Sequence, residues 1–267
     1  ENIQSSQATI LGSNPAFLRQ VVKYKDKIRT QLDSITTLIC TGNQLSETLR
    51  NNFKSAYNLS ILNYYGLSET TGICTAQSPS HQNLNIDTIG KPVDCIAQIV
   101  DENGQLLARG ETGELRIFSR NIMQGYFKAP KLTIEAIKDG WFYTQDIARF
   151  LEDGSIQLLG RKRNIVKTST EELVYLDNIE QFISNINYVE EALVCSQRHD
   201  DNESIIAFLS LKSDFLNQAE SIKIDLQKQL TEKFGVKKVP NRLIILKEMP
   251  YSNTGKILKN KLLNELI

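Results

Sequence analysis

Apolar positions in the first part of the chain switch between a helical and a strand period. Phe17, Leu18, Val21 and Val22 share one face of a helix that Asn14-Pro15 can start, with asparagine as N-cap and proline in the first turn. Ile35 to Cys40 is a short β-prone run ending at Thr41-Gly42-Asn43-Gln44. Ser46 can cap a second helix that carries Leu49, Phe53 and Tyr57 at four-residue spacing. A short strand at Ser60 to Leu62 then ends at Asn63-Tyr64-Tyr65-Gly66. Strand, helix, strand is a βαβ unit, and ligands of such sheets bind beyond the carboxyl ends of the strands. Both unusual loops, TGNQ and NYYGLSE, sit at such ends.

From Ile89 to Gly160 the pattern turns to short strands with tight turns. Ile96 to Val100 leads into the hairpin signal Asp101-Glu102-Asn103-Gly104, and Glu114 to Phe118 alternates polar and apolar. After Arg161 it changes again. Asp177 with Glu180 reads as a capping box for a helix with Ile179, Phe182, Ile183 and Ile186 on one face. Strands follow at Ala192 to Ser196 and Ile205 to Leu211, then a helix from about Ala219 to Phe234 and a strand at Leu243 to Leu246. The expected fold class is α/β plus α+β. Residues 1–88 belong to a large α/β subdomain, 89–161 to a β-rich subdomain and 162–267 to a mobile C-terminal α+β domain, with the join near Arg163.

Composition narrows the function classes. The chain of 267 residues is long enough for two domains, with 40% hydrophobic and 23% charged residues. Lys+Arg and Asp+Glu both number 31, so no basic surplus exists to hold a polyanion, and nucleic acid is not expected as a partner. No apolar run reaches the length of a membrane span, and the N-terminus lacks a signal-peptide pattern. Cys40, Cys74, Cys95 and Cys195 show no metal spacing and read as reduced core thiols of a cytoplasmic protein. Two histidines, His81 and His199, in polar stretches make a histidine or zinc site a poor expectation.

The stretch from Asp139 to Lys167, DGWFYTQDIARFLEDGSIQLLGRKRNIVK, carries the candidate chemistry. Asp146 and Arg161 flank an Asp153-Gly154 hairpin that can bring a carboxylate and a guanidinium to one rim. A carboxylate suits a ribose diol and an arginine suits a phosphate; a surface salt bridge is the competing reading. DGWFYTQD resembles the D-G-W-x-x-T-G-D element of the adenylate-forming superfamily, which includes acyl-CoA synthetases, luciferases and the adenylation domains of peptide synthetases. GRKRNIVKTS resembles the G-R-x-[DK]-x-x-x-K element that follows it there. TGNQLSETL, NYYGLSETTG, GETGELRIFSRNIMQGYF and PYSNTGKILKNKL match the same family in the same order, so the resemblance spans essentially the whole chain.

The resemblance implies ATP-dependent activation of a carboxylic acid as an acyl-adenylate, followed by transfer to the thiol of CoA or of a phosphopantetheine carrier protein. It implies that Tyr65 stacks on adenine, the Ser68 hydroxyl meets phosphate and Glu69 helps hold Mg²⁺, with Gly66 among the nucleotide-binding residues, roles that suit an aromatic face, a neutral donor and a hard oxygen ligand. It further implies that Gly42, Asn43 and Gln44 line the base and that Asn63 bonds the adenine edge. Asp146 would hold the ribose hydroxyls and Arg161 the ribose or α-phosphate. Leu158 falls where the family packs an apolar side chain on the base, though a plain core leucine reads as well. Lys256 matches the lysine of adenylation, a compact charge on a long stem. Lys167 lies in the segment that the family brings to the site for thioester formation.

Several positions depart from the family pattern. Gln145 replaces the glycine before the aspartate, Arg163 stands where aspartate or lysine is usual, and Thr170-Glu171 stand where acyl-CoA synthetases have Gly-Gly. Nothing matches the family's Ser/Thr/Gly-rich phosphate loop, so the chain is expected to begin within a domain, as a fragment or part of a longer protein. The acid pocket would draw on Ile39, Thr41, Tyr64, Gly72 and Ile73, which do not name the acid. The alternative is a catalytically impaired adenylate-binding or scaffold member of the same fold.

Overall fold

The computed structural model describes residues 2–28, 32–42, 45–78, 88–168, 172–199, 202–252 and 257–266. The chain divides into two compact units, 1–159 and 160–267. The architecture is mixed: α/β and β-rich layers in the first unit, α+β in the second.

In the first unit, helix α1 (Asn2–Ser6) precedes strand β1 (Ile10–Ser13), and helices α2 (Pro15–Lys23) and α3 (Lys25–Ile28) precede β2 (Thr37–Cys40). The start of α2 is as the sequence dictates: the Asn14 side chain accepts from the Phe17 N–H at 2.9 Å. Helix α4 (Glu47–Tyr57) is likewise capped by Ser46, whose hydroxyl accepts from the Leu49 N–H. Its Leu49 and Phe53 are buried against Leu18, Val21 and Leu38, and the Tyr57 hydroxyl reaches the Val21 carbonyl.

Strand β3 spans Ile61–Leu67, which corrects the expectation that Asn63-Tyr64-Tyr65-Gly66 is a loop. Its parallel partner β2 stops opposite Asn63. The backbone then finds new partners on its other edge, where β4 (Gly72–Ala76) pairs antiparallel from Tyr64 to Leu67. Strand β5 (Lys91–Pro92) completes this sheet.

A second sheet contains β6 (Ile96–Val100), β7 (Gly113–Phe118), β9 (Trp141–Phe150) and β10 (Ile156–Arg161), with β8 (Ile137–Lys138) on β9 and helix α5 (Pro130–Ala136) before it. Asp153-Gly154 makes the expected β9–β10 hairpin, the Asp153 carboxylate accepting from the Ser155 N–H and hydroxyl. The Ile89 N–H and the Gly90 carbonyl bond to Ile156, tying the two sheets together. Tyr65, Cys74, Ile99, Leu115, Ala148 and Ile156 pack in the shared core.

In the second unit, β11 (Ile165–Lys167) pairs with β12 (Leu173–Tyr175), and α6 (Leu176–Ser184) follows. A sheet of β13 (Val189–His199), β14 (Asn202–Leu211) and β15 (Arg242–Leu246) is joined by α7 (Ala219–Phe234), and α8 (Lys259–Leu266) ends the described chain. Strand β14 is buried on both faces: Ile205, Ala207, Leu209 and Leu211 meet α6 and α7, while Ile206 and Phe208 meet Met249 and Leu262. That accounts for its apolar run from Ile205 to Leu209. Strand β13 exceeds the Ala192–Ser196 expectation because its polar end also pairs, Arg198 opposite Glu203.

The capping box at Asp177 and Glu180 is not formed. Helix α6 starts after Tyr175 with no side-chain cap. Asp177 instead accepts from the Arg161 N–H at 2.7 Å and from the Asn164 side chain at 3.0 Å, while Glu180 accepts from the Val194 N–H on β13 at 2.8 Å. Both carboxylates find donors outside their own helix.

Candidate nucleotide site

Two candidate residues of the first unit, Tyr65 and Asp146, meet where β3 faces β9. Tyr65 on β3 is 8% exposed and Asp146 on β9 is 4% exposed, and the tyrosine hydroxyl donates to Asp146 Oδ2 at 2.6 Å. Burial first, then the Asp146 charge and this hydrogen bond, push the Tyr65 pKa well above its ordinary value, so it remains a donor. The carboxylate is thus held by a neutral partner. Leu158 packs beside them, half-buried against the same core.

Asp146 follows a distortion in the ladder. The β7–β9 register shifts between Glu114 and Arg116, and Gln145 adopts a left-handed φ of +62°. Thr144 and Asp146 are fixed around it: the Thr144 hydroxyl donates to the Leu115 carbonyl and accepts from the Asp146 N–H. Bulges of this kind re-aim a side chain.

Gly66 is required by space. A Cβ there would lie 1.9 Å from the Gly72 carbonyl oxygen, where β3 and β4 shift register. The following turn, Ser68–Thr70, leaves Ser68 exposed and Glu69 half-buried. Glu69 is held twice from far along the chain. Its carboxylate accepts from the Tyr126 hydroxyl at 2.9 Å and its carbonyl from the Met123 N–H at 2.8 Å. Motif position alone does not point to Tyr126; its place in the GYF segment is the sequence signal that could have found it.

Asn63, half-buried, donates from its side-chain amide to the Thr88 carbonyl at 3.3 Å. Gly42 lies just past the carboxyl end of β2. Asn43, Gln44, the Thr170-Glu171 pair and Lys256 lie outside the described residues. Arg161 and Lys167 belong to the second unit, both exposed, at the ends of β10 and β11. Beside Lys167, Glu172 pairs with Lys238 at 3.2 Å, so its charge is partly met within the unit.

The thiols are poor nucleophile candidates: burial pushes Cys40 up to about 12 and raises Cys74, Cys95 and Cys195. Among the described residues no three His, Cys, Asp or Glu side chains cluster as a metal cage, and no helix is long and apolar enough to cross a membrane. Glu69 by itself offers a hard oxygen donor of the kind a divalent cation takes, half-buried and held by Tyr126.

Comparison with known proteins decides the family. Residues 1–127 match the AMP-binding enzyme family and residues 178–256 its C-terminal domain. The chain belongs to the adenylate-forming, AMP-binding enzymes. It is 31% identical over 206 residues to a long-chain-fatty-acid–CoA ligase of Salmonella typhimurium, covering 77% of this chain and 36% of that protein. It is 33% identical over 240 residues to gramicidin S synthase 1 of Brevibacillus brevis, covering 86% and 21%. An ATP-bound RpMatB–BxBclM chimera superposes with a TM-score of 0.87 at 25% identity, covering 98% of this chain and 51% of the other. The chain therefore spans about a third of the first relative and half of the structural neighbour. As an AMP-binding enzyme, it keeps its hydroxyl-anchored aspartate and its tethered glutamate on the same unit.

Proposed function

We propose that the protein activates a carboxylic acid with ATP and passes the acyl group to a pantetheine thiol. The carrying observation is Asp146, a buried carboxylate aligned by the Tyr65 hydroxyl at 2.6 Å. Such a preheld acceptor suits the two hydroxyls of a ribose. In the first half-reaction a carboxylate oxygen of the acid attacks the α-phosphorus, and the bond to the β-phosphate breaks to release pyrophosphate. In the second, the thiol sulfur attacks the acyl carbon and AMP leaves.

Around that ribose, Asn63 faces the adenine edge, Gly42, Asn43 and Gln44 line the base, and Ser68 donates to phosphate. Glu69 is oriented by Tyr126 and would hold Mg²⁺, which would neutralise phosphate charge. Arg161 binds the ribose or α-phosphate, Lys256 accompanies the reacting carboxylate and α-phosphate, and Lys167 serves thioester formation. The acceptor is CoA or a carrier-protein thiol; similarity to both a CoA ligase and a peptide synthetase supports either. Four free thiols support a reducing, cytoplasmic setting.

The test is acid-dependent pyrophosphate release by the full-length protein with ATP and a panel of fatty, aromatic and amino acids. Thioester formation is followed with CoA and with a phosphopantetheine carrier. AMP binding without pyrophosphate release on any acid would favour the impaired, adenylate-binding alternative.

A further inference from the structure

Gln145 occupies a position that glycine would fill without strain. Its φ of +62° lies in the left-handed region, which disfavours residues with a Cβ. The β7–β9 ladder does not hold it there, because the register shifts at this point. Glu114, on β7 and 8% exposed, does. Its Oε1 accepts from the Gln145 main-chain N–H at 3.2 Å and from the Gln145 Nε2 at 3.3 Å. One carboxylate oxygen therefore grips both ends of the strained residue. The next residue is Asp146, whose carboxylate already has its place on Tyr65.

We propose that Glu114 is a positioning residue for Asp146, holding Gln145 in its left-handed turn and so supplying what a glycine would supply at that position. The inference rests on the reading of Asp146 as the partner of a ribose diol. It predicts a specific pairing: the need for Glu114 exists because residue 145 carries a side chain, and it falls away when that side chain is removed.

The experiment measures AMP and 2′,3′-dideoxy-AMP affinity by calorimetry on the full-length protein. Glu114→Ala should weaken AMP about tenfold, the worth of one ordinary hydrogen bond, and leave dideoxy-AMP nearly unchanged. In a Gln145→Gly background the same substitution should cost little. Glu114→Gln keeps an oxygen that accepts from both donors and should restore most of the AMP affinity. If Glu114→Ala fails to fold, Gln145→Ala and Gln145→Gly answer the question: alanine keeps the strain and loses the side-chain half of the grip, leaving only the main-chain bond, so it should weaken AMP, whereas glycine should not. Equal losses in the two backgrounds, or equal effects of alanine and glycine at 145, overturn the proposal. A wild-type protein that shows no preference for the diol overturns the reading of Asp146 and this inference with it. A diol preference that survives Glu114→Ala overturns the inference alone.

Discussion

The two units bury different kinds of side chain. Of the polar and charged residues buried among the described residues, nine lie in the first unit, Asp146 and Glu114 among them, and Ser210 alone lies in the second. The second unit packs an apolar sheet between helices on both faces and carries its candidate cations, Arg161 and Lys167, on the surface. Burying a polar group is favourable only when its partners are in place. The first unit therefore resembles a fixed mould and the second a carrier of exposed charge. Acceptors set in advance suit ground-state binding, while exposed cations suit a charge that develops during reaction.

The largest test of that contrast is Lys256→Ala in the full-length protein. Pyrophosphate release is expected to slow by roughly 10²–10³, the scale for one preorganised charge partner, with AMP affinity hardly altered. Equal losses in rate and affinity would erase the distinction between mould and carrier.

Asp146→Ala probes the mould directly and should weaken AMP binding by about 1.5–3 kcal/mol, the range for a charged hydrogen-bonding group. Tyr65→Phe should lose about 1 kcal/mol, because the ring stays and only the donor goes. Calorimetry showing a larger loss for the phenylalanine variant would mean that the tyrosine hydroxyl itself meets the ligand.

How much of this could be read from the chain depends on where each group finds its partner. The capped starts of α2 and α4 were legible because an N-cap acts over three residues. Strand β14 was legible as a strand from its apolar residues, though its burial on both faces was not expected. The continuation of β3 through Tyr65 was not, because it depends on β4, whose pairing is set by the turn at Ser68–Thr70. The motif spacing pointed to Asp146 and Glu69 but not to what holds them. Tyr65 and Asp146 are 81 residues apart, and Glu69 and Tyr126 are 57 apart. No local pattern encodes such pairs. Asp177 and Glu180 show the converse error, since a correct local signature was outcompeted by donors on other elements.

A smaller test concerns Glu180, a half-buried carboxylate of the apolar unit. Glu180 has its pKa raised from 4.5 to about 7, chiefly by burial, with the Val194 N–H opposing the shift. The folded state thus keeps this proton across a range where the unfolded chain has lost it. Stability contributed by the group is present below about pH 4.5 and is lost as pH rises to about 7. Glu180→Gln retains an oxygen for Val194 and should lack that loss. Above pH 7 the variant is expected to gain on the order of 1–2 kcal/mol relative to its standing at low pH. Urea denaturation in a pH series measures it, and parallel curves for both proteins would refute it.

The smallest effect is expected at the surface of the same unit. Breaking the Glu172–Lys238 pair, both partly exposed, should change stability by about 0.2–1 kcal/mol and less at high salt. A loss well above that range would show that the second unit also depends on fixed charge.

The bonds from Glu69 to Tyr126 and Met123 bear on how pieces of this protein can be exchanged with its relatives. The glutamate and its two tethers come from separate stretches of chain but act as one part. A chimera that takes β3 and the Ser68–Thr70 turn from this chain, yet leaves residues 119–127 behind, parts the carboxylate from the Tyr126 hydroxyl and Met123 N–H that hold it here. Crossover points before Ile61 or after Ala136 keep the part whole, and breakpoints between them divide it.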